Sequence, residues 1–199
     1  MYYYSINKPS IAEFKDRGSK FIAYAYPFTN AEHLKKIIQD LKKEHAKAVH
    51  HCFAYRLGLT KQNFRVNDDG EPSGSAGKPI LNAIDSKQLT NVLIVVVRYF
   101  GGTLLGVPGL INAYKSAASM ALQLVPAIQF PIEISYQLQF DYTMMNEVMM
   151  IVKQHNCSII KQDFQLFNVL KIGIPKVSLE QVLSKLKELH TVEVVKMKQ

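Results

Sequence analysis

No stretch of this 199-residue sequence approaches the ~18 uninterrupted apolar residues that a membrane-crossing helix needs, so a membrane protein is not expected. Cysteine is scarce. Cys52 and Cys157 lie far apart and follow no pairing rule, which fits a reducing cytoplasm with both thiols buried. The first residues, Met1-Tyr2-Tyr3-Tyr4-Ser5, hold neither a basic leader nor a cleavable apolar core, which argues against secretion. There is no internal repeat and no low-complexity tract. The chain is 48% hydrophobic and 20% charged, a globular composition long enough for one large domain or two small ones.

Acidic residues are the scarcer charge, and the net charge is +8. Up to Pro131, 16 Lys and Arg face 9 Asp and Glu; from Ile132 onward the counts are 8 and 7. The first two thirds are therefore basic, which suits a polyanionic partner such as RNA or the ribosome, or else a merely soluble surface.

Periodicity predicts the elements. Lys20 to Phe28 reads as a strand closed by Pro27, and Thr29 or Asn30 can cap a helix over Ala31 to Lys47 with Leu34, Ile37, Ile38 and Leu41 on one face. The other face carries Lys35, Lys36, Lys42, Lys43 and Lys47, a solvated face or a binding face. Val49 to Leu59 is a second strand, Asn63 to Lys78 a loop, and Pro79 to Ser86 a short helix. Asn91 to Val97 is a strand apolar enough to be covered on both faces. Pro108 to Leu124 is a long helix with Pro108 at or near its first position. After Phe130-Pro131 the pattern restarts: strand Glu133 to Phe140, helix Tyr142 to His155, strands Cys157 to Phe164 and Leu166 to Ile174, helix Leu179 to Leu189, strand Thr191 to Met197. That β-α-β-β-α-β order is the split βαβ, ferredoxin-like arrangement. The domain boundary is placed at 131, giving domains 1–131 and 132–199.

Two segments carry chemistry. In the polar loop, Gly70, Gly74 and Gly77 with Ser73 and Ser75 allow tight turns and exposed amides, and Lys78 adds charge just before a helix, so the loop could cradle phosphate. Its spacing is neither that of a Walker A loop nor that of a nucleophile elbow. Asp68, Asp69 and Glu71 do not match an EF-hand; they make a solvated turn or pair with a nearby cation. The second segment, Arg98-Tyr99-Phe100-Gly101-Gly102, ends the apolar strand. Arg98 offers a planar fork for phosphate, Tyr99 and Phe100 offer stacking surface, and Gly106 opens a helix whose first amides point outward. Lys115 can add charge. The structural alternative is that Arg98 pairs with Asp69 or Glu71, one aromatic fills the core and the glycines only make the turn. His50-His51-Cys52 lacks the further ligands a zinc set needs, so no metal and no cofactor are expected. Met144, Met145, Met149 and Met150 read as helix core, or as adaptable packing.

The two segments together resemble the YigZ/IMPACT family. The carrying residues are Asp69 to Leu81 (DGEPSGSAGKPIL), Val95 to Gly102 (VVVRYFGG) and Leu105-Gly106, with Ser19 to Ala23 and His51 to Arg56 in support. The resemblance covers essentially the whole chain. It implies an α+β protein: an N-terminal ribosomal protein S5 domain 2-like domain, then a ferredoxin-like βαββαβ domain similar to one in elongation factor G. Its eukaryotic members are translational regulators that act through a protein partner. One departure is Leu104, where the family often has a lysine.

The expectation is a cytoplasmic, non-catalytic binding protein linked to translation, with RNA or the ribosome as partner. Lys78, Arg98, Tyr99, Phe100, Gly101, Gly102, Gly106 and Lys115 would form its anion surface. The small domain would be a second contact or a dimerisation surface. Two alternatives stand beside it: a phosphate-handling hydrolase or transferase with Asp69 or Glu71 as base, and a protein-partner adaptor.

Overall fold

Every residue from Val92 to Val97 is 0% exposed, and the rest of the N-terminal architecture follows from covering that run. The computed structural model describes residues 1–60, 62–164 and 168–197. Two compact units form: Tyr3–Phe130, and Pro131–Gln199 together with Met1–Tyr2. In the latter, the Met1 carbonyl accepts from the Ile132 N–H at 3.1 Å.

The chain first runs β1 (Tyr2–Ser5), β2 (Ser10–Asp16), β3 (Ser19–Pro27), α1 (Leu34–Glu44), β4 (His50–Arg56), β5 (Phe64–Asn67), α2 (Gly77–Ser86), β6 (Val92–Tyr99), α3 (Gly106–Gln123) and β7 (Ile128–Pro131). Five strands make an antiparallel sheet in the order β2-β3-β6-β4-β5, and β1 pairs with β7. The Asn30 side chain caps a short 3₁₀ turn, Ala31–His33, by accepting from the Glu32 N–H at 2.9 Å, and α1 follows.

Strand alternation divides the core. Phe21, Ala23, Ala25, Cys52, Ala54, Ile94 and Val96 face one way, packed with Ile80, Ile84, Ala113, Tyr114, Ala117 and Ala121 of α2 and α3. The alanines on both sides let α3 approach the sheet closely. Ile22, Tyr24, Phe53, Tyr55, Leu93, Val95 and Val97 face the other way, with Leu34 and Leu41 of α1. Such burial stabilises by about 1.5–3 kcal/mol per large side chain.

The second unit contains β8 (Glu133–Phe140), α4 (Met145–Gln154), β9 (Ser158–Phe164), β10 (Asn168–Pro175), α5 (Leu179–Glu188) and β11 (Glu193–Lys196). Its antiparallel sheet has the order β11-β8-β10-β9. Tyr136, Leu138, Phe140, Leu170, Ile172 and Ile174 meet Val148, Ile151, Val152, Val182 and Leu186 of the two helices. Met144, Met145 and Met149 pack on this core, whereas Met150 is 62% exposed.

Several elements differ from the sequence expectation. β5 lies inside the expected loop, and β1, β2 and β7 are strands with mixed polar and apolar faces that periodicity does not single out. Pro108 is the third residue of α3; Gly106, at φ +68°, opens the helix. Leu166 and Phe167, expected in a strand, lie outside the described residues. Among the described residues no helix is long and apolar enough to cross a membrane.

Candidate functional site

The polar loop folds around its own acid. Asp68 lies between β5 and α2, and its carboxylate accepts three backbone N–H groups: Oδ2 from Gly74 at 2.9 Å, and Oδ1 from Ala76 at 3.0 Å and Gly77 at 2.8 Å. This carboxylate sits at the start of α2, where unpaired amides and the helix dipole favour negative charge. The amides expected to cradle an outside anion are thus held from within. The Ser75 hydroxyl donates to the Pro72 carbonyl at 2.6 Å, whereas Ser73 is exposed. Gly77 packs against the backbone of Asn67, and Gly70, at φ +91°, lies against the His50 ring. Asp68→Ala removes one acceptor from three amides. It is expected to cost the N-terminal unit about 2 kcal/mol, at the upper end for a helix cap, read by urea unfolding.

Arg98 belongs to β6 and points toward α2 and α3. It is 5% exposed, and its Nη1 donates to Glu71 Oε1 at 2.6 Å. The Tyr114 hydroxyl, from α3, donates to the same oxygen at 2.6 Å. Glu71 is 8% exposed and Tyr114 is fully buried. The guanidinium lies 5.5 Å from the Phe21 ring centre and 5.7 Å from that of Phe100, a cation–π arrangement on both. Its Nε has no hydrogen-bond partner among the described residues. The open, unpaired cation that the anion reading of Arg98 would use is therefore not what the geometry shows. β6 carries the residue inside the helix-covered layer, and Glu71 neutralises it there.

His50 and Cys52 border this pair. The His50 Nδ1–H donates to the Asp69 carbonyl at 2.8 Å, which leaves Nε2 at 3.8 Å from Glu71 Oε1. The Cys52 thiol donates to the Asp68 carbonyl at 3.0 Å and sits 3.3 Å from the Tyr114 hydroxyl. Burial pushes the Cys52 thiol well above its usual range, and burial with the neighbouring Cys52 and Glu71 does the same to Tyr114. Neither is set up as an anionic nucleophile. The Asp69 carboxylate, on a residue at φ +41°, accepts from the His51 N–H at 2.7 Å and from Lys42 at 3.5 Å. Burial, reinforced by Lys42, lowers the pKa of His51.

Tyr99 does not join Phe100. Alternation sends it to the α1 face, where its hydroxyl meets His45 Nδ1 at 2.8 Å and Lys20 lies over its ring. Gly101 packs directly on the backbone of Gly18 and Ser19, and its N–H donates to Ser19 Oγ at 3.2 Å. Gly102, at φ +86°, faces open space. Of the expected site residues, Phe100 lies against the buried Arg98 guanidinium, and Lys78, Phe100, Gly101, Gly102, Gly106 and Lys115 are exposed, as are Leu104, Val107 and Ile111. Among the described residues no cluster of His, Cys, Asp and Glu could hold a metal ion.

Residue patterns alone miss Tyr114, Phe21 and Gly18. Tyr114 reads as one more apolar position of α3, and its distance in sequence from Glu71 hides the hydrogen bond. The acidic cluster marks Asp68, but nothing local says that it closes the loop.

The model of the Impact N-terminal domain matches residues 17–122. The chain is 35% identical over 175 residues to an IMPACT family member of Haemophilus influenzae, covering 86% of this chain and 84% of that protein. It is 34% identical over 173 residues to the IMPACT family member YigZ of Escherichia coli, covering 85% and 84%. A crystal structure of a hypothetical protein superposes with a TM-score of 0.75 at 28% identity, covering 100% of this chain and 98% of that one.

Proposed function

The chain belongs to the IMPACT family, and we propose that it is a non-catalytic cytoplasmic binding protein in the control of translation, taking RNA or the ribosome on its N-terminal unit. Tyr3–Phe130 is read as the S5 domain 2-like part. The second unit is read as ferredoxin-like, with the strand order β11-β8-β10-β9 in support. Lys78, Phe100, Gly102 and Lys115 form the contact rim. Arg98 and Glu71 set its shape from beneath the surface and leave its charge to the lysines.

The observation that carries this reading is that burial and mutual neutralisation of Arg98 and Glu71 leave an exposed lysine, Lys78, and an exposed aromatic ring, Phe100, at the family signature, with Lys115 exposed one residue after Tyr114. Lysines supply phosphate contacts, and the Phe100 ring supplies a stacking face for a base. The basic balance of this part of the chain agrees. The hydrolase reading draws less support. Glu71 Oε1 already accepts from two donors, and both carboxylates offered as the base serve as internal acceptors.

Filter binding to single-stranded RNA and cosedimentation with ribosomes test the proposal. Affinity is expected to fall with salt. Lys78→Glu with Lys115→Glu is expected to reduce the slope of log affinity against log salt by about 1.4, two contacts at roughly 0.7 each. Absence of salt-dependent association with both RNA and ribosomes would remove the reading. A protein-partner reading is favoured by the exposed Leu104, Val107 and Ile111. Ribosome binding that survives nuclease and is lost with Leu104→Asp would shift the conclusion to it.

A further inference from the structure

Strand β9 borders the C-terminal sheet. Among the described residues its neighbour is β10 on one side, and no strand pairs with its other side, which presents backbone N–H and C=O groups. It has seven residues, against four in β11 at the opposite border. Ser158 to Asp163 are all exposed, including Ile159 and Ile160. A register shift opposite Lys171 and Ile172 makes Ile160 an extra residue in the strand. A long border strand with two bare isoleucines is a template for another strand.

The charges say which strand. Lys161 and Asp163 are two residues apart and share one face of the sheet. Neither enters an ion pair among the described residues. The N-terminal border strand β2 differs: its Glu13 is already paired with Lys15 and Lys20, and α3 packs against it.

We propose that β9 is a self-association edge, on which two copies of this chain join antiparallel into one continuous eight-stranded sheet. With the two-fold axis at Gln162, Lys161 lies opposite Asp163 of the second copy, and Asp163 opposite its Lys161. Two opposite-charge cross-strand pairs form at once, as an isologous interface requires. An axis at Lys161 or at Asp163 would set like charges against each other, so the sequence selects the register. The association is independent of the RNA reading, but a dimer carries two copies of the basic N-terminal unit and would bind a long polyanion with avidity.

Sedimentation velocity on the full chain, from micromolar to millimolar concentration, provides the test. A monomer–dimer equilibrium is expected, and hydrogen exchange of the β9 amides is expected to slow as concentration rises. Lys161→Glu is expected to raise the dimer dissociation constant about tenfold or more, with the melting temperature unchanged. Lys161→Asp combined with Asp163→Lys restores the opposite pairs, and is expected to bring the constant back to within about threefold of the parent. A chain that stays monomeric throughout overturns the proposal. So does a dimer indifferent to Lys161→Glu, or one that the charge exchange fails to restore.

Discussion

Replacing Glu71 by alanine is expected to destabilise the N-terminal unit by about 3–5 kcal/mol, because it leaves the Arg98 guanidinium buried without a counter-charge. Two buried donors lose their acceptor together: Arg98 Nη1 and the Tyr114 hydroxyl, each 2.6 Å from the same oxygen. For a unit of this size the melting temperature should fall by roughly 10–20 °C, read by calorimetry or by circular dichroism. Removing both charges together separates the cost of an orphaned cation from the worth of the pair. Glu71→Leu with Arg98→Met should be far less harmful than Glu71→Ala, since replacing a buried pair by apolar groups of similar size is often nearly neutral. A melting temperature that barely moves in Glu71→Ala would mean that water reaches the guanidinium, contrary to its 5% exposure. If the double replacement keeps the fold and also keeps RNA binding, the pair is scaffold and the exposed rim is the contact.

The adjacent glycines should respond in different ways to the same small change. Gly101→Ala places a methyl group into the backbone of Gly18 and Ser19, which has no flexible end to move aside. Either β3 must part from the turn after β6 or the turn must rebuild. The expected loss is about 3 kcal/mol, at the upper end for overpacking. Gly102→Ala meets open space, and its cost is the left-handed backbone at φ +86°, about 1–2 kcal/mol. Parallel urea titrations of the two variants check the order. Equal losses would show that the turn yields freely at Gly101 and that the close approach to Gly18 is not a constraint.

How far the sequence foretells these features depends on how local each cause is. The run Val92 to Val97 announces a strand buried on both faces because every residue in it is apolar, and all six prove to be 0% exposed. The helix over Leu34 to Leu41 follows from spacing alone. β5 does not, because Phe64, Arg65 and Val66 are exposed and the flanking Asn and Gly residues read as a turn; it is a strand because β4 lies beside it. At the site, the pairing of Arg98 with an acid of the polar loop is one of two readings the sequence leaves open. Choosing between them requires knowing that Arg98 shares a face with Val96, toward α3, and that Tyr114 arrives there to share Glu71. Tyr99 illustrates the limit of reading a tip as a unit: neighbouring residues of a strand serve opposite layers, and its hydroxyl goes to His45.

Met1 and Tyr2 group with Pro131–Gln199, although Tyr2 is also the first residue of β1, whose remaining residues belong to Tyr3–Phe130. The order of synthesis then matters. Tyr3–Phe130 can close around β6 as soon as β7 has left the ribosomal tunnel, before the strands and helices of the second unit have been made. A nascent chain arrested after Pro131 would therefore already hold the basic unit, with the sheet of the second unit still to be made.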